Sequence, residues 1–374
     1  MKNIILCLLI FLSPALFGIT MNESLHIQTS GENCILGTAN RIHGNTCLTD
    51  YSSVTFLTQS FTSNSKDKDY RGFYVNSWDG VSKKLISKKI DYNFFANEAV
   101  ATPLLDISAN KNFECLMQDE YNNLSINCIS KFGSLNNKIS LGAAYKFTKC
   151  ANLYENKYIL GGIHSGYLML SIFDAHHEKN RIAKKIGDSY TELLDLVATK
   201  DAIYGLLSQK TEQNTSTLEI VQFDNKVKYN ASISLDGDMG KLITINDIVY
   251  CMYSLKETNK CNLKLIQLTS NLDMERVEDI LSLNTFMQDF HLCVQDSKSM
   301  VYMAILSKDI LYILQYSPDK NSFEQYKFEL NGYYNEIGFM AVTADKLYIG
   351  MGYTVRLESK MSHHLEYSLF SFNL

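Results

Sequence analysis

The chain has 374 residues, of which 46% are hydrophobic, and a formal net charge of −5. This length exceeds that of a usual single domain, so either two domains or one closed repeat array is expected, and no Gly/Ser/Pro-rich linker separates two domains. A mildly acidic chain without clustered Lys and Arg argues against a dedicated nucleic-acid-binding protein.

The first twenty residues are expected to form a targeting segment that is not part of the fold. A lysine supplies the positive start, Ile4 to Phe17 form an apolar run, and the small residues Gly18 and Thr20 lie where cleavage is expected. The alternative, a membrane anchor, would need about 20 consecutive apolar residues. The sequence therefore predicts a signal peptide at 1–20, one domain at 21–374, and a secreted protein without a membrane span.

Four stretches repeat one strand pattern, an apolar residue followed by Tyr. They are spaced 46, 52 and 46 residues apart and lie at Ile203-Tyr204, Val249-Tyr250, Val301-Tyr302 and Leu347-Tyr348. Three of them follow an acidic residue that suits a tight turn, namely Asp201, Asp247 and Asp345. A second set of β-rich runs, each about six residues long, carries Gln222, Gln267 and Gln315. A period near 50 residues predicts a repeat of four strands: inner, apolar-Tyr, Gln and polar outer.

The inner strands can be followed along the chain. They are predicted at 104–109, 150–154, 193–199, 242–246, 290–295 and 338–343. Two shorter, less regular units are expected before them, at about 24–60 and 61–97. The last unit stops after three strands, and a strand around Ser24 to Gln28 is expected to complete it.

Neighbouring units are expected to stack until the array closes, because one sheet cannot bury both of its faces. The predicted fold is therefore all-β, a single β-propeller of four-stranded blades. Dividing the mature chain by about 50 residues gives seven blades, with six and eight as the alternatives.

Eight cysteines follow the leader, an even number that indicates disulfides in a secreted chain. The repeat register aligns Cys115 with Cys251 on second strands and places Cys128 and Cys261 on third strands. Directly opposed Cβ atoms on antiparallel neighbours lie about 4.5–5.5 Å apart, close to what a disulfide needs. The predicted bridges are Cys34 with Cys47, Cys115 with Cys128, and Cys251 with Cys261. The remaining cysteines, Cys150 and Cys293, are either bridged to each other or unpaired.

Metal and cofactor sites are not expected. The cysteine spacings contain no CxxC pair. The adjacent histidines at 176–177 and 363–364 cannot chelate one metal jointly, because successive strand residues point to opposite faces.

Surface features add to the extracellular prediction. Four glycosylation sequons begin at Asn22, Asn123, Asn214 and Asn230. Asn123 and Asn214 are expected in loops between second and third strands. Trp78 is predicted to be buried, with an exposed binding anchor as the alternative. The charged stretch 64–71 is predicted to be a solvated hairpin tip, with a partner-binding loop as the alternative.

Candidate catalytic residues are four carboxylates near the starts of inner strands, Asp106, Asp195, Asp289 and Glu336. They would converge at one mouth of the central channel, where a pair of acids could cleave a glycan. The number of residues between each carboxylate and the following apolar-Tyr strand differs from unit to unit. Carboxylates that line a solvated channel wall or cap turns would explain these residues equally well. A sialidase would need three clustered arginines, and the few arginines here are scattered.

The leader, the single propeller, the short cysteine spacings (34/47, 115/128 and 251/261) and the Asn- and Lys-rich composition resemble the cysteine-rich protective antigen family of malaria parasites. The resemblance covers the architecture of the mature chain and includes no shared motif. It implies an enzymatically inert propeller that acts as a secreted adaptor in a surface complex. The seven repeats counted here depart from the six blades of that family.

The leading hypothesis is therefore a secreted, non-enzymatic propeller that binds protein or glycan at a cell surface as a scaffold or adhesin-complex component. The alternative is a secreted glycan hydrolase that uses the four carboxylates. A third reading is a propeller that binds a small ligand or cation.

Overall fold

The computed structural model describes residues 19–27, 39–50, 53–61, 72–89, 112–118, 123–130, 135–143, 149–153, 157–174, 177–186, 190–210, 216–257, 260–332, 334–356 and 363–374. Regular structure in these ranges is β-strand, apart from one 3₁₀ turn at Asp296–Lys298. No helix in them has the length and apolar character needed to cross a membrane.

Strands in the first half of the chain form three antiparallel sheets, and the first strand pairs with a strand from the end of the chain. This first strand, β1, is Thr20–Ile27. Sheet 1 contains β2 to β5: Ala39–Asp50, Ser53–Phe61, Gly72–Asp79 and Lys84–Lys89. Sheet 2 contains β6 to β8: Asn112–Gln118, Asn123–Ser130 and Leu135–Ala143. Sheet 3 contains β9 to β12: Lys149–Leu153, Lys157–His164, Tyr167–Asp174 and His177–Ile186.

Strands in the second half form four further sheets. Sheet 4 contains β13 to β16: Tyr190–Ala198, Ala202–Lys210, Ser216–Asp224 and Tyr229–Leu235. Sheet 5 contains β17 to β20: Met239–Ile245, Ile248–Glu257, Lys260–Leu268 and Met274–Leu283. Sheet 6 contains β21 to β24: Asp289–Gln295, Met300–Ser307, Ile310–Ser317 and Ser322–Glu329. Sheet 7 contains β25 to β27, Glu336–Val342, Lys346–Arg356 and His363–Asn373, together with β1.

The repeat assignment is confirmed where the apolar-Tyr pattern occurs. The four tyrosines lie on β14, β18, β22 and β26, the second strands of sheets 4 to 7, and each is at most 3% exposed. The Gln runs form the third strands β15, β19 and β23. The predicted turn before β18 is also present, since Asn246 and Asp247 have φ of 50° and 64°.

The two units expected at 24–60 and 61–97 are wrong. β3 and β4 pair across that boundary, with Ser60 opposite Gly72, and a single sheet therefore spans 39–89. In this part of the sequence the apolar-Tyr pair is Phe73-Tyr74, and it lies on the third strand β4, so the pattern did not mark the second strand. The inner strand predicted at 104–109 lies outside the described residues.

The expected closing strand is confirmed. β1 runs antiparallel to β27, with Ser24 opposite Phe370 and Ile27 opposite Tyr367, so the amino-terminal strand is the outermost strand of the last sheet. A strand from one end of the chain thereby covers an edge left by the other end. Thr20 belongs to this strand, although the domain was predicted to start at residue 21.

Successive sheets pack face to face. β2 of sheet 1 contacts β25 of sheet 7 and β6 of sheet 2, and β8 of sheet 2 contacts β12 of sheet 3. The first strands β9, β13, β17, β21 and β25 contact one another in that order, so they are the innermost strands. The described residues thus contain seven sheets in a ring, while the blade number of the whole chain stays a prediction.

Buried apolar side chains fill the spaces between sheets. Five clusters among the described residues lie between sheets 3 and 4, 4 and 5, 5 and 6, 6 and 7, and 7 and 1. Representative members are, in the same order, Leu170 and Ile203, Ile220 and Val249, Leu265 and Met303, Ile313 and Ile349, and Phe56 and Phe339. The core of the molecule is therefore divided among the inter-sheet spaces.

Replacement of Gly350 by Ala should destabilise the fold by roughly 1–3 kcal/mol, because overpacking forces neighbours to move. A Cβ there would overlap the Phe339 ring, which stacks on Phe56 with ring centroids 4.7 Å apart. Gly205→Ala is the matched control, since the nearest atom to its Cβ would be a Val221 methyl at 3.4 Å. Urea unfolding of both variants measures this difference, and equal stability of the two would contradict the packing described here.

Candidate functional site

The predicted carboxylates do not share one environment. Asp195 lies within β13 and is 8% exposed, whereas Asp289 and Glu336 are the first residues of β21 and β25 and are half-buried. Asp106 lies outside the described residues. The structure therefore places three of the four on innermost strands, of sheets 4, 6 and 7.

Asp195 joins sheet 4 to sheet 5. Its Oδ1 accepts a hydrogen bond from the N–H of Leu196 at 2.9 Å, and its Oδ2 accepts one from Leu242 of β17 at 2.8 Å. Both oxygens of a buried carboxylate are thus bound by backbone amides, one of them in the next sheet. Such charge-assisted bonds are stronger than neutral ones.

Asp289 makes the same arrangement between sheets 6 and 7. Its Oδ1 accepts from the N–H of Phe290 and its Oδ2 from Ile337 of β25, each at 2.8 Å. Two of the candidate catalytic residues therefore form inter-sheet bridges with one geometry. Sequence reasoning missed this role, because a backbone N–H about 47 residues away leaves no signature in the side-chain pattern.

Lysines alternate with these carboxylates along the innermost strands. Lys149, Asp195, Lys241 and Asp289 lie on the first strands of sheets 3, 4, 5 and 6. Burial lowers the pKa of Lys149, Asp195 raises it, and the like charge of Lys241 lowers it. We call these four residues and His291 the inner-strand cluster. The signs alternate along these strands, so Asp195 and Lys241 each lie between residues of opposite charge, which limits the cost of their partial burial.

His291 is the neutral member of this cluster. It is 6% exposed on β21, and its Nδ1 lies 3.2 Å from the Leu292 carbonyl oxygen. The pKa of His291 is lowered to about 3. Burial is the main cause, and the positive charges of Lys241 and Lys149 also lower it, while the hydrogen bond to Leu292 raises it. The imidazole is therefore uncharged at neutral pH.

The pKa of the Asp289 carboxyl group is set by opposing effects. Burial raises its pKa, whereas the Ile337 N–H, Lys241 and the Phe290 N–H each lower it. A glycosidase acid or base must exchange a proton with the substrate or a water. Here both oxygens of Asp289 and of Asp195 already accept amide hydrogen bonds, so their observed role is to join sheets.

The predicted bridge between Cys251 and Cys261 is wrong, and both thiols are free. Cys251 pairs with Ile266, and Cys261 pairs with Lys256, so the two cysteines lie five positions apart along the β18–β19 ladder. They also pack in different cores, Cys251 between sheets 4 and 5 and Cys261 between sheets 5 and 6. Burial raises the pKa of both thiols, to about 11 for Cys261. They are core residues in the protonated form.

Two of the other predicted bridges stay predictions. Cys115 lies opposite Asn127, and Cys128 lies opposite Glu114, so these two cysteines are one position out of direct register. Cys34 lies outside the described residues, while its expected partner Cys47 is on β2. The third predicted bridge, between Cys150 on β9 and Cys293 on β21, is wrong, because Cys293 forms no disulfide and the two strands belong to sheets 3 and 6.

The remaining surface predictions have mixed outcomes. Burial of Trp78 is confirmed at 5% exposed, in the cluster between sheets 7 and 1. Asn123 begins β7, where it pairs with Ala143, so its predicted loop position is wrong. Asn230 is exposed on β16 and Asn22 lies in β1. Asn214 and the charged stretch 64–71 lie outside the described residues.

A cleft of about 370 Å³ lies between sheets 4 and 5, and sequence reasoning did not find it. Tyr204 and Gln222, each 3% exposed, belong to its lining. Gln222 Nε2 donates to the Tyr204 hydroxyl at 2.8 Å and to the Ser270 carbonyl oxygen of sheet 5 at 2.7 Å. Buried polar groups therefore form part of the cleft wall.

The same cleft is acidic. Three carboxylates line it, Asp201, Asp247 and Glu275, and no Lys, Arg or His is among the described lining residues. Asp247 has a cation beside it, since the Nζ of Lys200 lies 3.8 Å from an Asp247 oxygen in an exposed pair. The described residues contain no group of three or more His, Cys, Asp or Glu placed to hold a metal ion. The cleft suits a ligand that donates hydrogen bonds or carries positive charge.

Comparison with known proteins supports the fold alone. No family model and no curated protein matches the chain. The Dos1 propeller is similar with a TM-score of 0.52 at 11% identity, over 96% of this chain and 95% of that one. A protein from Lactobacillus plantarum has a TM-score of 0.50 at 8% identity, over 85% of this chain and 99% of that one. The chain is thus an all-β protein with a β-propeller fold.

Conversion of Asp195 or Asp289 to Asn should destabilise the protein by roughly 1–3 kcal/mol. Either variant turns one oxygen into an NH₂ group that faces a backbone N–H donor, so an inter-sheet or local bond is lost. Asp236→Asn, at an exposed position, is the control and should leave stability unchanged. Urea unfolding tests the bridges, and wild-type stability in both variants would rule them out.

Stability should fall as pH decreases from about 6.5, the ordinary pKa of His, to about 3, the pKa of folded His291. The unfolded chain binds a proton in this window that the folded chain does not, so acid favours unfolding. Asp289 has the opposite effect on stability: burial raises its pKa, so the folded chain binds this proton more readily than the unfolded chain does. His291→Gln should therefore lose less stability than wild type between pH 7 and pH 4 in urea titrations. His164→Gln, at an exposed position, should follow wild type, and parallel loss in all three proteins would refute the assignment.

Proposed function

We propose that this chain is a secreted, non-enzymatic β-propeller that binds a protein or glycan at a cell surface. The observation that carries the proposal is the use of Asp195 and Asp289 as inter-sheet bridges. Carboxylates whose oxygens hold the ring together are structural groups, which favours a scaffold over the alternative hydrolase. The apolar leader and the resemblance to an inert parasite propeller support the secreted location and the adaptor role.

The cleft between sheets 4 and 5 is the candidate contact site of this scaffold. Asp201 and Glu275 are exposed at it and supply negative charge, while Tyr204 and Gln222 supply fixed polar groups. An exposed apolar side chain, Ile248, also lines it. A partner side chain with an apolar stem and a basic or hydrogen-bonding end would match this lining.

Glycosylation would modify the same region. Asn230 lines the cleft on the exposed outer strand β16, and Ser232 of its sequon accepts a hydrogen bond from the Tyr229 hydroxyl at 3.1 Å. A glycan on Asn230 would extend from the cleft rim, where it would either contact a partner or limit the partners that fit.

Binding by the cleft should depend on its charge. We expect labelled wild-type protein to bind a glycan array or a library of cell-surface proteins, and Asp201→Asn/Glu275→Gln to reduce affinity for the same ligand about tenfold, or about 1.4 kcal/mol. Asp236→Asn/Glu329→Gln removes the same charge at exposed positions away from the cleft lining and is the matched control. Equal losses in both double variants would show a general charge effect and contradict this site.

The non-enzymatic part of the proposal is tested with a panel of fluorogenic glycosides. We expect no turnover by wild type above that of Asp289→Asn. Turnover that disappears in Asp195→Asn or Asp289→Asn, while the folded fraction stays constant, would establish the hydrolase instead.

A further inference from the structure

The sequence allows the leader to be cut at two bonds. Signal peptidase sites place small residues at the first and third positions before the cut. Ser13-Pro14-Ala15 meets this pattern for a cut after Ala15, and Gly18-Ile19-Thr20 meets it for a cut after Thr20. The two products differ in whether Ile19 and Thr20 remain in the mature chain.

Ile19 belongs to the folded core. Its side chain is 6% exposed and packs in the cluster between sheets 6 and 7 that includes Leu311 and Phe372, with Tyr326 and Phe328 at its margin. Burial of an aliphatic side chain of this size stabilises a fold, because it removes apolar surface from water. A cut after Thr20 would remove this side chain and leave a cavity between the two sheets.

The backbone at Ile19 is also bound. Its N–H donates to the Tyr326 hydroxyl, which in turn donates to Glu324 Oε2 at 2.6 Å. The next residue, Thr20, starts β1 and lies opposite Asn373 of β27. Ile19 and Thr20 therefore tie the amino-terminal strand to sheet 6 as well as to its own sheet 7.

We propose that the leader is removed between Ala15 and Leu16, so that Ile19 and Thr20 stay in the mature protein and anchor the closing strand. This inference rests on the proposed secretion. The mature chain carries a three-residue extension, Leu16 to Gly18, before the first core residue. The boundary between leader and fold then lies before the strand that completes the ring, and processing leaves that strand intact.

The full chain, expressed in eukaryotic cells, tests this inference by amino-terminal sequencing and intact mass of the protein in the medium. A mature chain that starts at Leu16 is expected. Any other start overturns the assigned bond, and a start at Met21 or later also overturns the retention of Ile19 while secretion stands. Protein that keeps Met1 and stays inside the cell overturns both this inference and the proposed secretion.

Variants of the secreted protein test the role of Ile19 separately. Ile19→Ala should lower the melting temperature by roughly 2–6 °C, because a core side chain is truncated. Met21→Ala is the matched control two residues further along the chain, since Met21 is 42% exposed, and it should melt within about 1 °C of wild type. Equal melting of the two variants would show that Ile19 does not anchor the strand. If Ile19→Ala is not secreted, the same comparison is made on the cell-retained protein after refolding.

Discussion

The structure depends on one constraint, that each sheet has two apolar faces and only its neighbours can cover them. The repeated tyrosines follow from this, because Tyr gives a second strand a large buried ring. Each buried ring also carries a hydroxyl that needs a partner. Gln222 of the Gln pattern donates to Tyr204, and Gln295, which ends the first strand β21, accepts from Tyr302 at 3.3 Å, so a glutamine satisfies each of these two hydroxyls. Burial raises the pKa of Tyr302 to about 12, which keeps this hydroxyl a neutral donor.

Polar groups on the innermost strands add specificity to the apolar packing. Two apolar faces can pack at several relative positions of the sheets. The carboxylates of Asp195 and Asp289, in contrast, each bind one backbone amide of the next sheet. These bonds therefore fix the register between sheets 4 and 5 and between sheets 6 and 7. Lys149 and Lys241 occupy the innermost strands of sheets 3 and 5, and the alternation keeps the charge of the ring locally balanced.

The sequence predicted the repeat, the strand order and the closing strand, because period and side-chain alternation encode them directly. It failed where the apolar-Tyr pair, Phe73-Tyr74, lies on a third strand, and the units predicted at 24–60 and 61–97 form one sheet. It also failed at Cys251 and Cys261: their strands are neighbours as predicted, but the hairpin register separates them by five positions. Hairpin register depends on the turn, and turn geometry is weakly encoded. The amide partners of Asp195 and the cleft could not be predicted, since both arise from contacts between repeats.

A comparison of two inter-sheet spaces shows why the cleft is the functional candidate. Between sheets 6 and 7, Gln295 Nε2 donates to the Thr343 carbonyl at 2.6 Å and Lys298 Nζ donates to the Ala344 carbonyl at 3.1 Å, so both polar side chains are directed across the space. Between sheets 4 and 5, Gln222 also donates across the space, but its lining carries carboxylates, and among the described lining residues there is no lysine. Carboxylates cannot donate to the carbonyl groups at the ends of strands, and the space stays open to solvent. The repeat thus sets the buried Tyr of both spaces. The cluster of Asp201, Asp247 and Glu275 makes the space between sheets 4 and 5 different, and a ligand can recognise this difference.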